Sequence, residues 1–535
     1  MSVSVRLPCD EPLLCAPSAA VPCSRSAGRW VLVATILGSS MAFIDGTVVN
    51  VALPALQRAL QADVVGVQWV IEAYALFLAA FLLAGGSLGD EFGRRRIFVL
   101  GIVLFAFASA GCGFALTIGQ LIAARAIQGF GAALLVPGSL AIISSSFAAE
   151  ERGRAIGTWS GFSAITAAIG PVLGGWLIEH VSWRAVFFIN LPLALLVVLI
   201  AFWKVPESRS TDETRIDWWG GLLGVLGLGA LVYGLTESSR LGFAHPAILA
   251  AGAVAIVTIG LFLFVEMKSS HPMLPLGLFR SRSFAGANLL TFFLYGALGG
   301  TLFFLPLNLI QVQHYAPTSA GAALLPLILI IFLLSRWSGG LVGRVGARIP
   351  LVVGPLIAAA GFALFLLPNV GGSYWTTFFP AVVTLGIGMA ISVAPLTTTV
   401  MNSVPESRVG VASGINNAVS RTAGLLAIAV FGIVMLQTFH HERDRRLSRI
   451  PLTAEGRSAL FAQYNKLAGA ELPTELSPAR REEVTNVIGQ SFVRGFRVVM
   501  SLGAALAVAS AVCALVLIQT KTARDLPNEA SPPSR

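Results

Sequence analysis

Apolar stretches of about 20 residues, separated by short polar segments, recur along nearly the whole chain. A stretch of that length crosses a ~30 Å hydrocarbon layer as one α-helix, whereas a membrane β-barrel needs short segments of alternating polarity. We therefore predict an all-α polytopic membrane protein. The pattern predicts fourteen membrane helices, an even number that places both termini on one side: 30–52, 68–89, 97–117, 120–143, 157–179, 185–204, 217–236, 246–266, 285–308, 321–341, 349–368, 376–399, 416–437 and 494–519.

Composition and charge agree with this pattern. Of the 535 residues, 56% are hydrophobic and only 12% are charged, roughly half the charged share of an average soluble domain. The predicted loops on the side of the termini carry 14 Lys or Arg, whereas the short loops opposite carry Arg58, Arg184 and Arg240. Because cytoplasmic loops are enriched in these residues, we predict cytoplasmic termini in the plasma (inner) membrane. The net charge of +10 then reflects topology and indicates no nucleic-acid partner.

Three segments are too polar to cross a membrane. Residues 1–29 lack the apolar core of a signal peptide and are predicted to be a disordered cytoplasmic tail. Residues 520–535 are predicted to be a second cytoplasmic tail. Residues 438–490 are predicted to form an outer loop, either with amphipathic helices or solvated throughout. Three N-terminal cysteines have neither the spacing of a ligand pair nor a histidine beside them, so we expect no metal site; they are Cys9, Cys15 and Cys23.

The chain also contains an internal repeat. The stretch "GSLGDEFGRRR" at Gly86 is echoed by "GGLVGRVGARI" at Gly339, an offset of 253 positions. A second stretch, "GFGAALLVPGSLAIISSSFAAEERG" at Gly129, is echoed by "GIGMAISVAPLTTTVMNSVPESRVG" at Gly386, an offset of 257. Two six-helix halves, 30–204 and 285–519, are therefore predicted around two inserted helices within 205–284. Parallel halves of this kind characterise a large class of secondary transporters.

Several motifs carry a family resemblance. They are "FIDGTVVNVALPAL", "GSLGDEFGRRR", "LIAARAIQGFGAALLVPGS", "GPVLGGWLIEHVSWRAVFFINLPL", "HYAPTSAGAALLPL" and "GVASGINNAVSRTAG". Together they resemble the major facilitator superfamily, and specifically its fourteen-helix drug:proton antiporter branch. The resemblance implies a buried arginine on the fourth helix, here Arg125, an inner gate in the loop after the second helix, and a helix-five motif that seals or hinges the cavity toward the outside. The gate residues are Gly86, Asp90, Gly93, Arg94 and Arg95, and the helix-five residues are Gly170, Pro171, Gly174 and Gly175.

Three positions depart from the branch. Glu91 stands where the gate motif usually has a basic residue, and Thr166 replaces a glycine four residues before Gly170. Glu72 stands where the branch commonly has an uncharged residue, and we predict it to be a second proton site.

The glycines and the gate charges also have plain physical roles. Glycines spaced by four and five residues let a neighbouring helix approach closely, and Pro171 bends the helix. Ordinary packing of small residues is the alternative to a seal. Asp90 and the arginines that follow it can latch to helix ends and carboxylates of the other half, although arginines there also obey the positive-inside rule.

Asp45 stands in an otherwise almost entirely apolar helix, where a charge costs at least ~2.5 to 3.5 kcal/mol. From the predicted helix ends, Asp45, Glu72 and Arg125 lie within about one helical turn of the same depth. A carboxylate and a guanidinium at one depth form a natural pair, so we predict a proton-coupling site from these three residues. The alternative is that Arg125 only binds backbone carbonyls.

Intramembrane polar and aromatic residues are candidates for the substrate cavity: Gln128, Trp159, Asn288, Tyr295, Asn308, Asn416 and Asn417. The chain has no phosphate-binding G-x-x-x-x-G-K-[ST] run, so ATP is not expected to drive it. The resemblance to the antiporter branch implies an exporter of small amphipathic or cationic drugs, driven by the proton gradient without a cofactor, and we expect it to be a monomer. The alternatives are a transporter of one specific metabolite with the same fold, an intramembrane enzyme, and a channel.

Overall fold

The computed structural model describes residues 25–147, 149–209, 217–269, 272–405, 408–453, 457–458, 460, 463–472 and 476–519. The predictions for residues 1–24, with their three cysteines, for 210–216 and for 520–535 lie outside these residues. Within the described part of the chain, all regular secondary structure is helical.

The first half of the chain forms six membrane crossings. They are α1 (Arg25–Ala59), α2 (Val64–Phe92), α3 (Arg94–Phe114), α4 (Ile118–Ser146), α5 (Ala149–His180) and a sixth crossing made of α6 (Ala185–Phe188) and α7 (Asn190–Lys204). The two inserted helices follow as α8 (Trp218–Leu241) and α9 (Pro246–Lys268).

The second half begins after a 3₁₀ turn at Leu276–Arg280. Its helices are α10 (Arg282–Leu307), α11 (Pro317–Ala322), α12 (Leu325–Gly339), α13 (Leu341–Val345), α14 (Arg348–Leu364), α15 (Tyr374–Asn402), α16 (Val409–Leu447) and α17 (Pro478–Leu517). A π-helical turn, Asn308–Val312, extends α10, and a 3₁₀ turn, Tyr464–Gly469, lies between α16 and α17.

The all-α fold with fourteen crossings is confirmed in outline. Within the described residues, thirteen helices are long and apolar enough to span a membrane, and the shorter apolar helix Arg348–Leu364 occupies the remaining predicted position. One predicted helix, 321–341, is wrong in detail because it is divided among α11, α12 and α13. A proline at the start of α12 favours a new helix there, since proline is well accommodated only in a first turn.

In the segment 438–490, predicted to be an outer loop with or without amphipathic helices, both ends are helical. α16 continues to Leu447 and α17 already begins at Pro478, so helices cover much of this polar segment. Its charges pair along the helix surface: Arg445 and Arg446 both bind Glu442, three and four residues before them, a spacing that supports helix formation. Residues 25–29 are likewise helical, whereas a disordered tail had been expected.

The two halves repeat the same close helix contact. A Cβ built on Gly101 of α3 would meet the Gly131 carbonyl oxygen of α4 at 2.9 Å, and one built on Gly354 of α14 would meet that of Gly388 on α15 at 3.0 Å. The corresponding positions differ by 354 − 101 = 253 and 388 − 131 = 257. These are the offsets of the sequence repeat, so the repeated motifs preserve the glycines that allow two helices to touch.

Candidate functional site

The centre of the first half is a buried charge network around Asp45. The carboxylate of Asp45 on α1 forms an ion pair with Arg125 of α4, and both side chains are at most 1% exposed. Gln128 Nε2 donates to Asp45 Oδ1 at 2.9 Å, and Arg125 Nε donates to the Val70 carbonyl of α2 at 3.0 Å. The predicted partners are therefore in contact, and Arg125 binds a backbone carbonyl as well.

Helix packing explains why the pair forms at this level. A Cβ on Gly129 of α4 would lie 3.0 Å from Tyr74 Cα, so the missing side chain lets α4 lie directly against α2. Arg125, one turn from Gly129, then reaches the α2 backbone and has its guanidinium carbon 4.2 Å from the Tyr74 ring centre. A cation over an aromatic face is favourable, especially when desolvated.

The network extends to the sixth crossing. Gln128 Nε2 donates to Ser109 Oγ at 3.2 Å, and Asn190 Nδ2 donates to the same oxygen at 3.0 Å. Sequence reasoning missed Ser109, Tyr74 and Asn190 as members of this site. Asn190 lies in the run "FFINLPL" at the end of a quoted motif, and this could have identified it as a candidate. Ser109 and Tyr74 lie in apolar helices, and no sequence pattern distinguished them.

Glu72 lies on a different face of α2 from this network. It is fully buried and accepts a hydrogen bond from Thr236 of the inserted helix α8 at 2.8 Å. Its neighbour across the interface, Glu237, accepts from Trp69 at 2.9 Å and lies 3.2 Å from Arg240. The described contacts of Glu72 thus join α2 to α8 and do not include Asp45 or Arg125.

The gate residues hold each other and the end of α7. Asp90 pairs with Arg94 at 2.7 Å, and Arg95 donates from its backbone to Glu207 at 3.0 Å and from its guanidinium to the Val205 carbonyl at 3.0 Å. These partners lie in the first half and in the start of the segment that follows it, residues 205–207. Among the described residues, the ion pairs and hydrogen bonds of Asp90, Arg94 and Arg95 therefore do not include the expected latch to the second half.

Backbone geometry gives the two gate glycines different roles. Gly93 has φ +109°, a conformation that favours glycine, and a Cβ there would meet Glu207 Oε1 at 2.8 Å. Gly86 is less confined, since a Cβ would only approach Pro137 at 3.8 Å.

The helix-five glycines divide between two contacts. Gly170 and Gly174 face Thr47 and Val48 of α1, within the first half. Gly175 faces the second half, where a Cβ would lie 2.6 Å from the Pro317 carbonyl carbon. A small residue is therefore needed on both sides of α5.

The second half also contributes a glycine to its contact with α5. Gly321 of α11 faces the Pro171 carbonyl, and a Cβ on it would lie 3.1 Å from the Val172 nitrogen. Thr318 Oγ1 donates to Glu179 at 2.6 Å. We call the contact between residues 171–179 of α5 and residues 317–321 the α5 seal.

The α5 seal lies at the end of the bundle where α1 ends, which we call the Gln57 end. We call the opposite end, where α2 ends, the Asp90 end. There Gln311 Nε2 donates to Gln57 Oε1 at 2.8 Å, and Gln57 Nε2 donates to the Lys466 carbonyl at 3.1 Å. Further in, Gln68 Nε2 donates to the Ile428 carbonyl at 3.2 Å. The two halves are thus joined at the Gln57 end, while the gate residues at the Asp90 end bond to each other and to residues 205–207.

A cavity lies in the second half, beside the connection between α15 and α16. It is lined by Tyr295, Thr397, Val400, Met401, Ser413, Asn416, Asn417 and Ser420. Of the seven candidate cavity residues, Tyr295, Asn416 and Asn417 line it. Asn288 lies behind the wall and accepts from Asn416 Nδ2 at 3.2 Å.

The other three candidates do not line this cavity. Gln128 belongs to the Asp45 network, and Trp159 donates to Ser39 at 3.0 Å inside the first half. Asn308 lies in the π-helical turn, bonded to Gln313 at 3.1 Å. All three are polar groups satisfied in the core, a role that sequence alone does not distinguish from cavity lining.

A family comparison agrees with this architecture: residues 35–428 match the sequence model of the Major Facilitator Superfamily. The chain belongs to this superfamily. It is accordingly a membrane transporter, which excludes the enzyme alternative.

Several relatives of this Major Facilitator protein carry descriptive names. It is 36% identical over 410 residues to the multidrug resistance protein Stp of Mycobacterium tuberculosis (strain CDC 1551 / Oshkosh), covering 76% of this chain and 75% of that protein. It is 31% identical over 532 residues to the tetracenomycin C resistance and export protein of Streptomyces glaucescens, covering 98% of both. It is 36% identical over 409 residues to the puromycin resistance protein of Streptomyces alboniger, covering 76% of this chain and 81% of that protein.

Solved structures show the same fold. A bacterial homologue of the human lysosomal transporter Spinster, in an inward-facing and occupied conformation, superposes with a TM-score of 0.65 at 18% identity, covering 93% of this chain and 98% of that one. The inward-open xylose transporter XylE from E. coli superposes with a TM-score of 0.56 at 14% identity, covering 92% and 97%.

Proposed function

We propose that this protein is a proton-driven exporter of small amphipathic molecules such as antibiotics, working by alternating access. The observation that carries the proposal is the buried Asp45–Arg125 pair, an ionisable pair in the membrane interior. Such charges are costly and mark ion or proton pathways. The resistance and export functions named for three relatives supply the direction of transport and the kind of substrate.

The orientation in this proposal follows from the loop charges. The Asp90 end carries the Arg- and Lys-rich loops, so it faces the cytoplasm with both termini, in the plasma (inner) membrane. The cavity beside Asn416 and Asn417 then opens inward, and the α5 seal closes the outer side. This is the conformation that takes up substrate from the cell.

Asp45 is the proposed proton carrier. Protonation neutralises the carboxylate and removes the ion pair, which leaves Arg125 held by the Val70 carbonyl at 3.0 Å and by Gln128 Oε1 at 2.7 Å. Because the network joins α1, α2 and α4, a change in the pair alters how these helices hold together. Coupling requires the two conformations to bind the proton with different affinity.

Glu72 is proposed as a second proton site at the interface with α8. Its Oε2 accepts from Thr236, and its Oε1 is buried without a hydrogen-bond partner among the described residues. A buried carboxylate that makes one hydrogen bond is costly to keep charged, so proton binding there stabilises the contact between α2 and α8.

In the opposite conformation the α5 seal opens and the Asp90 end closes. Asp90, Arg94 and Arg95 are the proposed inner gate of that state, since each is partly exposed and able to reach a new partner. The exporter is proposed to act as a monomer with protons, substrate and lipid as its only partners. Transport of one specific metabolite by the same fold is the remaining alternative.

A drug susceptibility panel, comparing cells with and without the transporter, tests the direction and breadth of transport. Raised resistance to several unrelated compounds supports an exporter of many substrates, and a response to a single compound supports the metabolite alternative. Uptake of a responding compound into everted vesicles, with and without an imposed pH gradient, tests the proton drive. Uptake at the same rate with and without the pH gradient would contradict the proposed proton drive.

A further inference from the structure

A second intramembrane arginine, Arg421 of α16, lies outside the Asp45 network. Its side chain is partly exposed, and its Nε is buried with no hydrogen-bond partner among the described residues. The ion pairs of the described part of the chain do not include it. An unpaired charge at membrane depth is costly and is retained for function by default.

Arg421 follows directly after Ser420, which lines the cavity. Ser413, Asn417 and Arg421 are spaced by four residues on α16, so their side chains share one face of the helix, and the first two line the cavity. Arg421 therefore lies one turn, about 6 Å, deeper than Asn417. Ile428, where α2 meets α16, lies two turns further still. Arg421 thus lies on the cavity-lining face of α16, between the residues that line the cavity and the contact with α2.

The buried charges of the first half do not compensate Arg421. Arg125 is already neutralised by Asp45, and Glu72 is bonded to α8. The charge that remains for a molecule in the cavity is therefore positive.

We infer that Arg421 is a substrate-binding residue that anchors an acidic group, a carboxylate or an ionised phenol or enol, of an amphipathic substrate. The guanidinium fork binds a carboxylate with two parallel hydrogen bonds, while Tyr295, Val400 and Met401 contact the apolar part. This inference rests on the proposed export function. It assigns acidic amphipathic substrates to the transporter and departs from the cationic drugs that were expected from the sequence. An inside-negative membrane potential itself favours outward movement of an anion, so recognition at Arg421 is separate from the proton step at Asp45.

Three probes with one aromatic core test the inference: anthracene carboxylate, the matching carboxamide and the matching methylammonium. Their binding to the full-length protein in lipid nanodiscs is measured by fluorescence, without any gradient. We expect wild type to bind the carboxylate about tenfold more tightly than the amide, the size of a charge-assisted hydrogen bond. The ammonium is expected to bind more weakly than the amide.

Arg421→Gln is expected to abolish the preference for the carboxylate while amide binding stays the same, which also shows that the variant is folded. Arg421→Lys retains part of the preference because the charge remains. Arg408→Gln, the same change at an exposed position before α16, is the matched control and retains all of it. Equal binding of carboxylate and amide to wild type, no binding of the carboxylate, or a preference that survives Arg421→Gln would each overturn the inference.

This experiment is independent of the proposed proton drive. If the protein prefers the carboxylate but its uptake does not depend on the pH gradient, the proposed proton coupling is wrong and the anion site is supported. If the pH gradient drives uptake of compounds without an acidic group, and carboxylate and amide bind equally, the proton coupling is supported and the anion site is wrong.

Discussion

Replacing Gly175 by alanine tests whether the α5 seal controls the conformation of the transporter. The new Cβ would lie 2.6 Å from the Pro317 carbonyl carbon and from Thr318 Cα, whereas ordinary contacts begin at 3.4 Å. Both neighbours are backbone atoms, so neither can rotate away. The Pro317 carbonyl oxygen would lie closer still, so the two segments must separate by at least 3.4 − 2.6 = 0.8 Å.

The cost of this separation falls on one conformation only. Overpacking in a close contact costs about 1–3 kcal/mol. Because Gly175 touches the second half only when the seal is closed, this cost shifts the ratio of sealed to open molecules by about 5- to 150-fold. We expect Gly175→Ala to populate the conformation open at the Gln57 end.

Gly174→Ala is the matched control. Its Cβ would press on the side chain of Val48 in α1, inside the first half. That contact is expected to persist in both conformations, so Gly174→Ala lowers overall stability without changing the ratio of sealed to open molecules.

Cysteine labelling on intact cells measures the shift. Gln311, bonded to Gln57 beside the seal, is changed to cysteine in a chain whose 5 native cysteines are replaced by serine. A membrane-impermeant maleimide then reports access from outside. We expect faster labelling with Gly175→Ala and an unchanged rate with Gly174→Ala. Equal rates in all three chains would refute the reasoning, and would leave α5 as a passive packing element.

Three further substitutions test the charged residues. Asp45→Asn is expected to abolish uptake driven by a pH gradient in everted vesicles while expression persists, because Arg125 keeps its bonds to Val70 and Gln128; full gradient-driven uptake would move the coupling role to Glu72. Glu72→Gln is expected to retain most of that uptake, because Glu72 lies apart from Asp45. It is expected to change the free energy of unfolding by no more than about 1 kcal/mol, because Thr236 can still donate a hydrogen bond to the new side chain. Loss of all uptake would count against a secondary role for Glu72. Asp90→Asn removes a partly exposed ion pair worth at most about 1 kcal/mol in this conformation. It is expected to weaken the opposite conformation, in which the inner gate is closed, and so to increase cysteine labelling from the cytoplasmic side. An unchanged labelling pattern would argue against a gate at Asp90.

Residue type and helical period allowed part of the charge network to be predicted, because depth follows from counting residues along a helix. Asp45 and Arg125 were expected as partners since they lie at one depth, and they are in contact. Glu72 lies at a similar depth, yet it faces α8. Depth is a one-dimensional quantity, and the direction in which a side chain points around the helix depends on which helices pack beside it.

The sequence by itself determined the class of protein, the number of crossings, the internal repeat and the family, because all of these are encoded in local composition and spacing. The tertiary structure alone decided which glycines face the other half, that the gate residues bind each other and residues 205–207, and that Arg421 forms no ion pair among the described residues. These features depend on contacts between residues far apart in the chain. Gly174 and Gly175 show this most clearly: adjacent in sequence, they face Val48 of one half and Pro317 of the other because neighbouring residues point about 100° apart around a helix.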